Sequence, residues 1–132
     1  MINYLEVNEM GIDAYMLWEG KDEEFGRGFG FSVTSGDKGY LREAYHGSPY
    51  AIPVLLKECY ENESEEESVA IPASVLRSRL PEVIKIVIER ENLVYGRVVD
   101  ENDAVVKAFV DFVELAEKKE KDGISVTYYV SY

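Results

Sequence analysis

A chain of 132 residues, 46% hydrophobic and 30% charged, has the size and make-up of one ordinary domain, with enough apolar side chains to build a core. Its apolar runs are short and interrupted, which excludes a membrane-spanning helix. Its formal charge of −12 argues against nonspecific binding to nucleic acid or anionic lipid.

The single cysteine, Cys59, allows no intramolecular disulfide and is too few for a zinc site. The N-terminus, "MINYLEVNEM", carries acids where a secretory signal needs bases and an apolar run, so the expected location is the cytoplasm. Acidity is concentrated early. Residues 1–66 hold 5 Lys+Arg against 14 Asp+Glu, a net of −9, and residues 67–132 hold 9 against 12, a net of −3.

In chain order, the first part reads as strands. Ile2, Tyr4, Leu5 and Val7 favour β structure, "IDAYMLWE" (12–19) is strand-like, and "RGFGFSVT" (27–34) is a third candidate. "SGDKG" (35–39) is dense turn chemistry leading into "YLREAY" (40–45), which suggests a hairpin or meander of up to four antiparallel strands.

The period then changes. Ile52, Leu55, Leu56, Cys59 and Tyr60 recur at helical spacing and predict one amphipathic helix, with Ser48 as its cap and Pro49 or Pro53 in its first turn. "ENESEEES" (61–68) reads as a solvated acidic loop, because it lacks the spaced Asp and Gly of a calcium loop. In "IPASVLRSRLPEVIKIVIEREN" (71–92), Pro72 and Pro81 predict two helices with a break near Arg79–Leu80, since a residue preceding proline avoids the helical region. Arg77, Arg79, Lys85, Arg90 and Arg97 make this the one locally basic stretch, expected to pair with acids of the N-terminal half.

"VYGRVV" (94–99) suggests a short strand. Residues 100–123 give the strongest helix, capped by Asp100 or Asn102, buried along Val105, Ala108, Phe109, Phe112 and Ala116, and stopped at Gly123. Glu114–Lys118 and Glu117–Lys121 are expected as ion pairs on its wet side. "ISVTYYVSY" (124–132) alternates as a half-buried strand, with Ile124, Val126, Tyr128, Val130 and Tyr132 on one face.

Strands, then helices, then a closing strand is an α+β order. The expected fold is a single, mostly antiparallel sheet of three to five strands, the C-terminal strand included. Two to four helices pack on one face, in one domain spanning residues 1–132.

Arg27, Gly28, Phe29, Gly30 and Phe31 resemble the first five positions of the RNP1 signature of RNA-recognition motifs. That resemblance implies a phosphate contact from Arg27 and base stacking on Phe29 and Phe31. The order of elements opposes it. In that fold RNP1 lies on the third strand, after a strand, a helix and a second strand that together need about 35 to 45 residues. Only 26 residues precede Arg27, without a helical stripe, and Ser32 and Thr34 stand where the signature has aliphatic and aromatic residues. As a strand, the stretch puts Phe25, Arg27, Phe29 and Phe31 on one face and Gly26, Gly28 and Gly30 on the other, a bare strip suited to a bend or to close approach of a ring, helix or ligand.

His46, the only histidine, lies in "EAYHGSPY" at a strand-to-helix junction beside Glu43 and Ser48, but no nucleophile elbow is present. Cys59, on an apolar helix face, reads as a small core residue.

The reading that follows is a binding or regulatory domain acting through protein–protein contacts and associating with itself, with Tyr128, Tyr129 and Tyr132 as the candidate interface. No catalytic motif is assembled, which points away from an enzyme. A second reading is a small-molecule-binding protein or enzyme with a pocket near the glycine strip, using Arg27, Gly28, Gly30, Glu43 and His46. A third is an acidic decoy for a basic nucleic-acid-binding protein. No cofactor, metal, nucleic acid or membrane partner is expected.

Overall fold

Alternation over residues 11–17 puts Ile12, Ala14 and Met16 on one side of a strand and Asp13 and Tyr15 on the other. The computed structural model describes residues 11–21, 35–44, 48–61 and 68–132, and in it this segment is β1 (Gly11–Leu17). It is the middle strand of a three-stranded antiparallel sheet in the order β2-β1-β3, with β2 spanning Tyr40–Ala44 and β3 spanning Thr127–Ser131. Register matches the alternation. Ala14 stands opposite Leu41 and Val130, and Met16 opposite Tyr128, so all five share the inner face. Among the described residues, the expected C-terminal strand therefore joins the sheet at an edge. The candidate strands at 2–7 and 27–34 lie outside the described residues.

Among the described residues, four helices follow the first two strands, or link them to the third: α1 (Ile52–Leu55), α2 (Glu58–Glu61), α3 (Ala73–Tyr95) and α4 (Ala104–Lys121). The fold is α+β, with helices packed against the sheet. Val106, Phe109, Phe112, Val113 and Ala116 of α4 are buried with the inner face of the sheet in one core. Phe112 and Tyr128 meet with ring centroids 5.9 Å apart. Burying such a side chain is worth about 1.5–3 kcal/mol. α3 packs along α4 and α1. It runs antiparallel to α4, since Glu120 near the end of α4 accepts the Ala73 N–H at the start of α3 (3.0 Å), and Arg77 pairs with Glu117 (2.5 Å).

Several local expectations are corrected, each by a contact that is distant in sequence. The predicted break at Arg79–Leu80 does not occur, and α3 runs through Pro81 without interruption. Proline in a helix interior costs about 3 kcal/mol. Here Leu76, Leu80, Val83 and Val87 are buried as one stripe on both sides of it, so a break would expose half of that stripe.

The single helix expected over 52–60 is two short turns, α1 and α2. Arg79 reaches between them, donating to the Leu55 carbonyl (2.9 Å) and to both Glu58 oxygens (2.7 and 2.6 Å). Pro53 is in the first turn of α1 as predicted, but Ala51 occupies the cap position and Ser48 does not cap. "VYGRVV" is no strand. Tyr95 ends α3, Gly96 takes the left-handed conformation (φ 64°), and its N–H and that of Arg97 return to the Asn92 and Glu91 carbonyls.

The α4 cap is Asp103, whose side chain accepts the Val105 N–H at 3.0 Å. Asp100 accepts the Asn102 N–H instead (2.8 Å), in the turn before the helix. Val106 replaces the half-buried Val105 in the core stripe. Gly123 stops the helix as expected, with φ 74°.

Two close approaches position the turn between the first strands. Gly36–Lys38 forms a 3-10 turn seated on α4, and Gly39 follows with φ 80°. A Cβ at Gly36 would fall 1.7 Å from the Ala108 carbonyl oxygen, so only glycine fits there. No helix among the described residues is long and apolar enough to cross a membrane.

Candidate functional site

Of the residues proposed for a pocket, Arg27, Gly28, Gly30 and His46 lie outside the described residues, as does the run 62–67. Glu43 is described, and it is engaged. It stands opposite Ile12 on the inner face of the sheet and is only 3% exposed. One carboxylate oxygen accepts the Ile52 N–H at 2.8 Å, and both accept from Ala51 at 2.9 and 3.1 Å. A strand carboxylate thus does the capping predicted for Ser48, because α1 begins over the inner face of β2.

Arg90 of α3, also buried, donates to the same Glu43 carboxylate. The cluster continues outward. Arg90 lies 3.6 Å from Glu91, which pairs with Arg97 at 2.6 Å, which pairs with Asp103 at 2.7 Å. This chain ties β2, α1, α3 and the start of α4 together. It also shows where the basic stretch is spent: Arg79 and Arg90 pair with acids of the N-terminal half, and Arg77 and Arg97 with acids of the C-terminal half. Glu117 goes to Arg77 across the helix pair.

The three tyrosines of the candidate interface part company. Tyr128 is 1% exposed and belongs to the core, where burial raises its phenol above the usual range, with Glu120 and Cys59 adding to the effect. Tyr129 points to the other face, where Tyr15 lies between it (6.2 Å between centroids) and Tyr40 (5.4 Å). Tyr40 donates to Asp13 at 2.5 Å, and Arg42 pairs with Asp13 at 2.7 Å. Tyr132 is 45% exposed and stacks on Tyr60 with centroids 4.6 Å apart. The outer edge of β3 is partly covered, since Val69 exchanges both hydrogen bonds with Tyr128 at 2.8 Å.

Compared with known proteins, the chain matches no family model, no curated protein and no solved structure. Its function must be read from surfaces and cavities.

Two features were not visible in the sequence. The first is the exit of α3, where Leu93, Tyr95 and Val98 are 66%, 46% and 91% exposed within six residues. The Gly96 cap and the pairing of Arg97 with Glu91 and Asp103 fix the backbone that carries them.

The second is a pocket of about 300 Å³ between the end of β1 and the last turns of α4, lined by Trp18, Lys21, Asp37, Lys38, Leu115 and Lys119. The chain turns at Trp18–Lys21, with Gly20 at φ 87°, and brings the Lys21 ammonium back to the Met16 carbonyl and 4.8 Å from the Trp18 ring centroid. Lys119 approaches the same ring at 4.2 Å. Gly39 makes the room, since a Cβ there would lie 3.3 Å from the Lys21 nitrogen and 3.4 Å from the indole.

A wider, open groove of about 550 Å³ runs between Ile71, Ala116, Glu120, Ile124 and Tyr128. Among the described residues, no group of three or more His, Cys, Asp or Glu is placed to hold a metal ion.

Proposed function

We propose that this protein is a binding domain that works through protein–protein contacts and associates with itself through the exit of α3. The observation that carries the reading is the exposure of Leu93, Tyr95 and Val98 on a backbone held by a glycine cap and two ion pairs. Scattered exposed apolar residues are ordinary on any surface. Three within six residues, on a segment fixed so that Val98 points to solvent, are costly to hold outward unless a partner covers them.

The other candidate surface is weaker support. Tyr128 lies in the core and Val69 covers part of the β3 edge, which leaves Tyr132 as its exposed member. A catalytic role for Glu43 has little support, since both its oxygens are engaged by backbone N–H groups and Arg90. A reducing, cytoplasmic setting suits the buried Cys59, whose thiol is pushed up to about 11 by burial and the nearby Glu58 charge.

In a two-fold dimer each substitution counts twice. Losing about 1.5 kcal/mol per covered aliphatic side chain in each copy amounts to a loss of about hundredfold or more. Leu93→Asp/Val98→Asp is therefore expected to weaken self-association by at least that factor in light scattering across a dilution series. At a concentration low enough for the parent to be monomeric, its melting temperature should be near that of the parent, because both side chains are exposed in the single chain. A parent that is monomeric at every concentration, or a variant that associates as tightly as the parent, would overturn the reading.

A further inference from the structure

We propose that the groove between the start of α3 and the end of α4 binds a small neutral molecule with an apolar body and a primary carboxamide. The carboxamide carbonyl accepts from the Tyr128 hydroxyl, and its amino group donates to Glu120. At about 550 Å³ the groove is in the usual size range of ligand sites. It lies at the opposite end of α3 from Leu93, so it is separate from the self-association surface.

Packing explains why the groove is there. Phe112, Ala116 and Glu120 follow one another at four-residue spacing and share one side of α4. Phe112 meets the Tyr128 ring, and the small side chain of Ala116 leaves space in the next turn. The other wall forms where two extended segments part. Val69 and Tyr128 exchange both hydrogen bonds, but no bond joins Ile71 to Val126, the next pair of such a ladder. Pro72 leads the chain into α3 instead, where Glu120 accepts the Ala73 N–H at 3.0 Å.

Two side chains stand out from the apolar walls of Ile71, Pro72, Ala116 and Ile124, while Ser125 is exposed to solvent. Tyr128 is 1% exposed, and its hydroxyl has no hydrogen-bond partner among the described residues, although a buried phenol normally finds one. Burial keeps this phenol protonated and therefore a donor, and Glu120 is the charge that acts on it most. Glu120 uses Oε2 for Ala73, and its Oε1 accepts from no group among the described residues. One donor and one acceptor in an apolar groove match a carboxamide, which presents both an acceptor and donors. A carboxylate would meet the Glu120 charge, and an ammonium would offer the Tyr128 hydroxyl no acceptor.

The experiment titrates the whole protein with three probes of one skeleton: 3-phenylpropanamide, 3-phenylpropanoate and 3-phenylpropylamine. Binding is followed by calorimetry and, independently, by saturation transfer from the protein to the probe's ring protons. The expected result is saturable binding of the amide, with the acid and the amine each weaker by about tenfold or more. Tyr128→Phe keeps the ring against Phe112 and deletes only the hydroxyl, and it should weaken amide binding by about three- to tenfold. Glu120→Gln changes an exposed side chain, should remove most of the margin between amide and acid, and carries the test if Tyr128→Phe fails to fold. Absence of saturation with the amide in both readouts would overturn the proposal. So would an acid or amine that binds as tightly as the amide, an amide affinity unchanged by Tyr128→Phe, or an amide-to-acid margin unchanged by Glu120→Gln.

Discussion

Replacing Arg90 with methionine is expected to lower the free energy of unfolding by about 3–5 kcal/mol, the usual consequence of leaving a buried charge without its partner. Glu43 and Arg90 are 3% and 5% exposed, so neither can recover solvation when the other is removed. The loss spreads beyond the pair, because the same carboxylate holds the Ala51 and Ile52 N–H groups that start α1.

The sharper test is the double variant. Glu43→Gln keeps a carbonyl oxygen for those two donors and removes the charge. In the Arg90→Met background it should restore at least half of the lost stability in urea unfolding. Additive losses in the two single variants would mean that Glu43 and Arg90 stabilise the fold separately.

The second large effect is expected at Gly36. Alanine there would set its Cβ 1.7 Å from the Ala108 carbonyl oxygen, in the body of α4, where the obstacle is backbone and cannot rotate away. Overpacking of side chains usually costs about 1–3 kcal/mol, and an encounter with backbone belongs at the top of that range or beyond. Gly123→Ala provides the contrast. Its φ is 74° with nothing within 4 Å of the added carbon, so left-handed strain alone acts and the expected cost is about 1 kcal/mol. Thermal unfolding should rank Gly36→Ala well below Gly123→Ala. Equal melting temperatures would mean that the 3-10 turn is not seated on α4.

Much of the fold is legible in the residues, because the patterns that fix it are local. The alternation around Tyr128 and Val130 and the stripe Ala108–Phe109–Phe112–Ala116 need no partner to be read, and both appear where expected. The errors fall where a distant residue decides. Pro81 marks a break by every local rule, yet the stripe from Leu76 to Val87 is buried on both sides of it and holds the helix through. Ser48 is a sound local cap for α1, yet the cap comes from Glu43 on β2.

The site was hidden for the same reason. Lys21, Lys38 and Lys119 are far apart in sequence, and only the packing of the turns against the end of α4 brings them to one pocket, with Lys21 and Lys119 over Trp18. Leu93 and Val98 were hidden differently. Val98 falls in the stretch read as a strand and Leu93 between it and the helix read over 71–92, and their exposure follows from the cap at Gly96, which ends α3 and turns the chain outward.

Self-association through the exit of α3 is the central claim, and amide hydrogen exchange at two protein concentrations tests it where the contact lies. If copies meet there, amides of residues 93–99 exchange more slowly at high concentration than after dilution, while those of the β3 strand are unchanged. Exchange at 93–99 that is the same at both concentrations would contradict the account, and slowing confined to residues 127–132 would move the contact to the sheet edge.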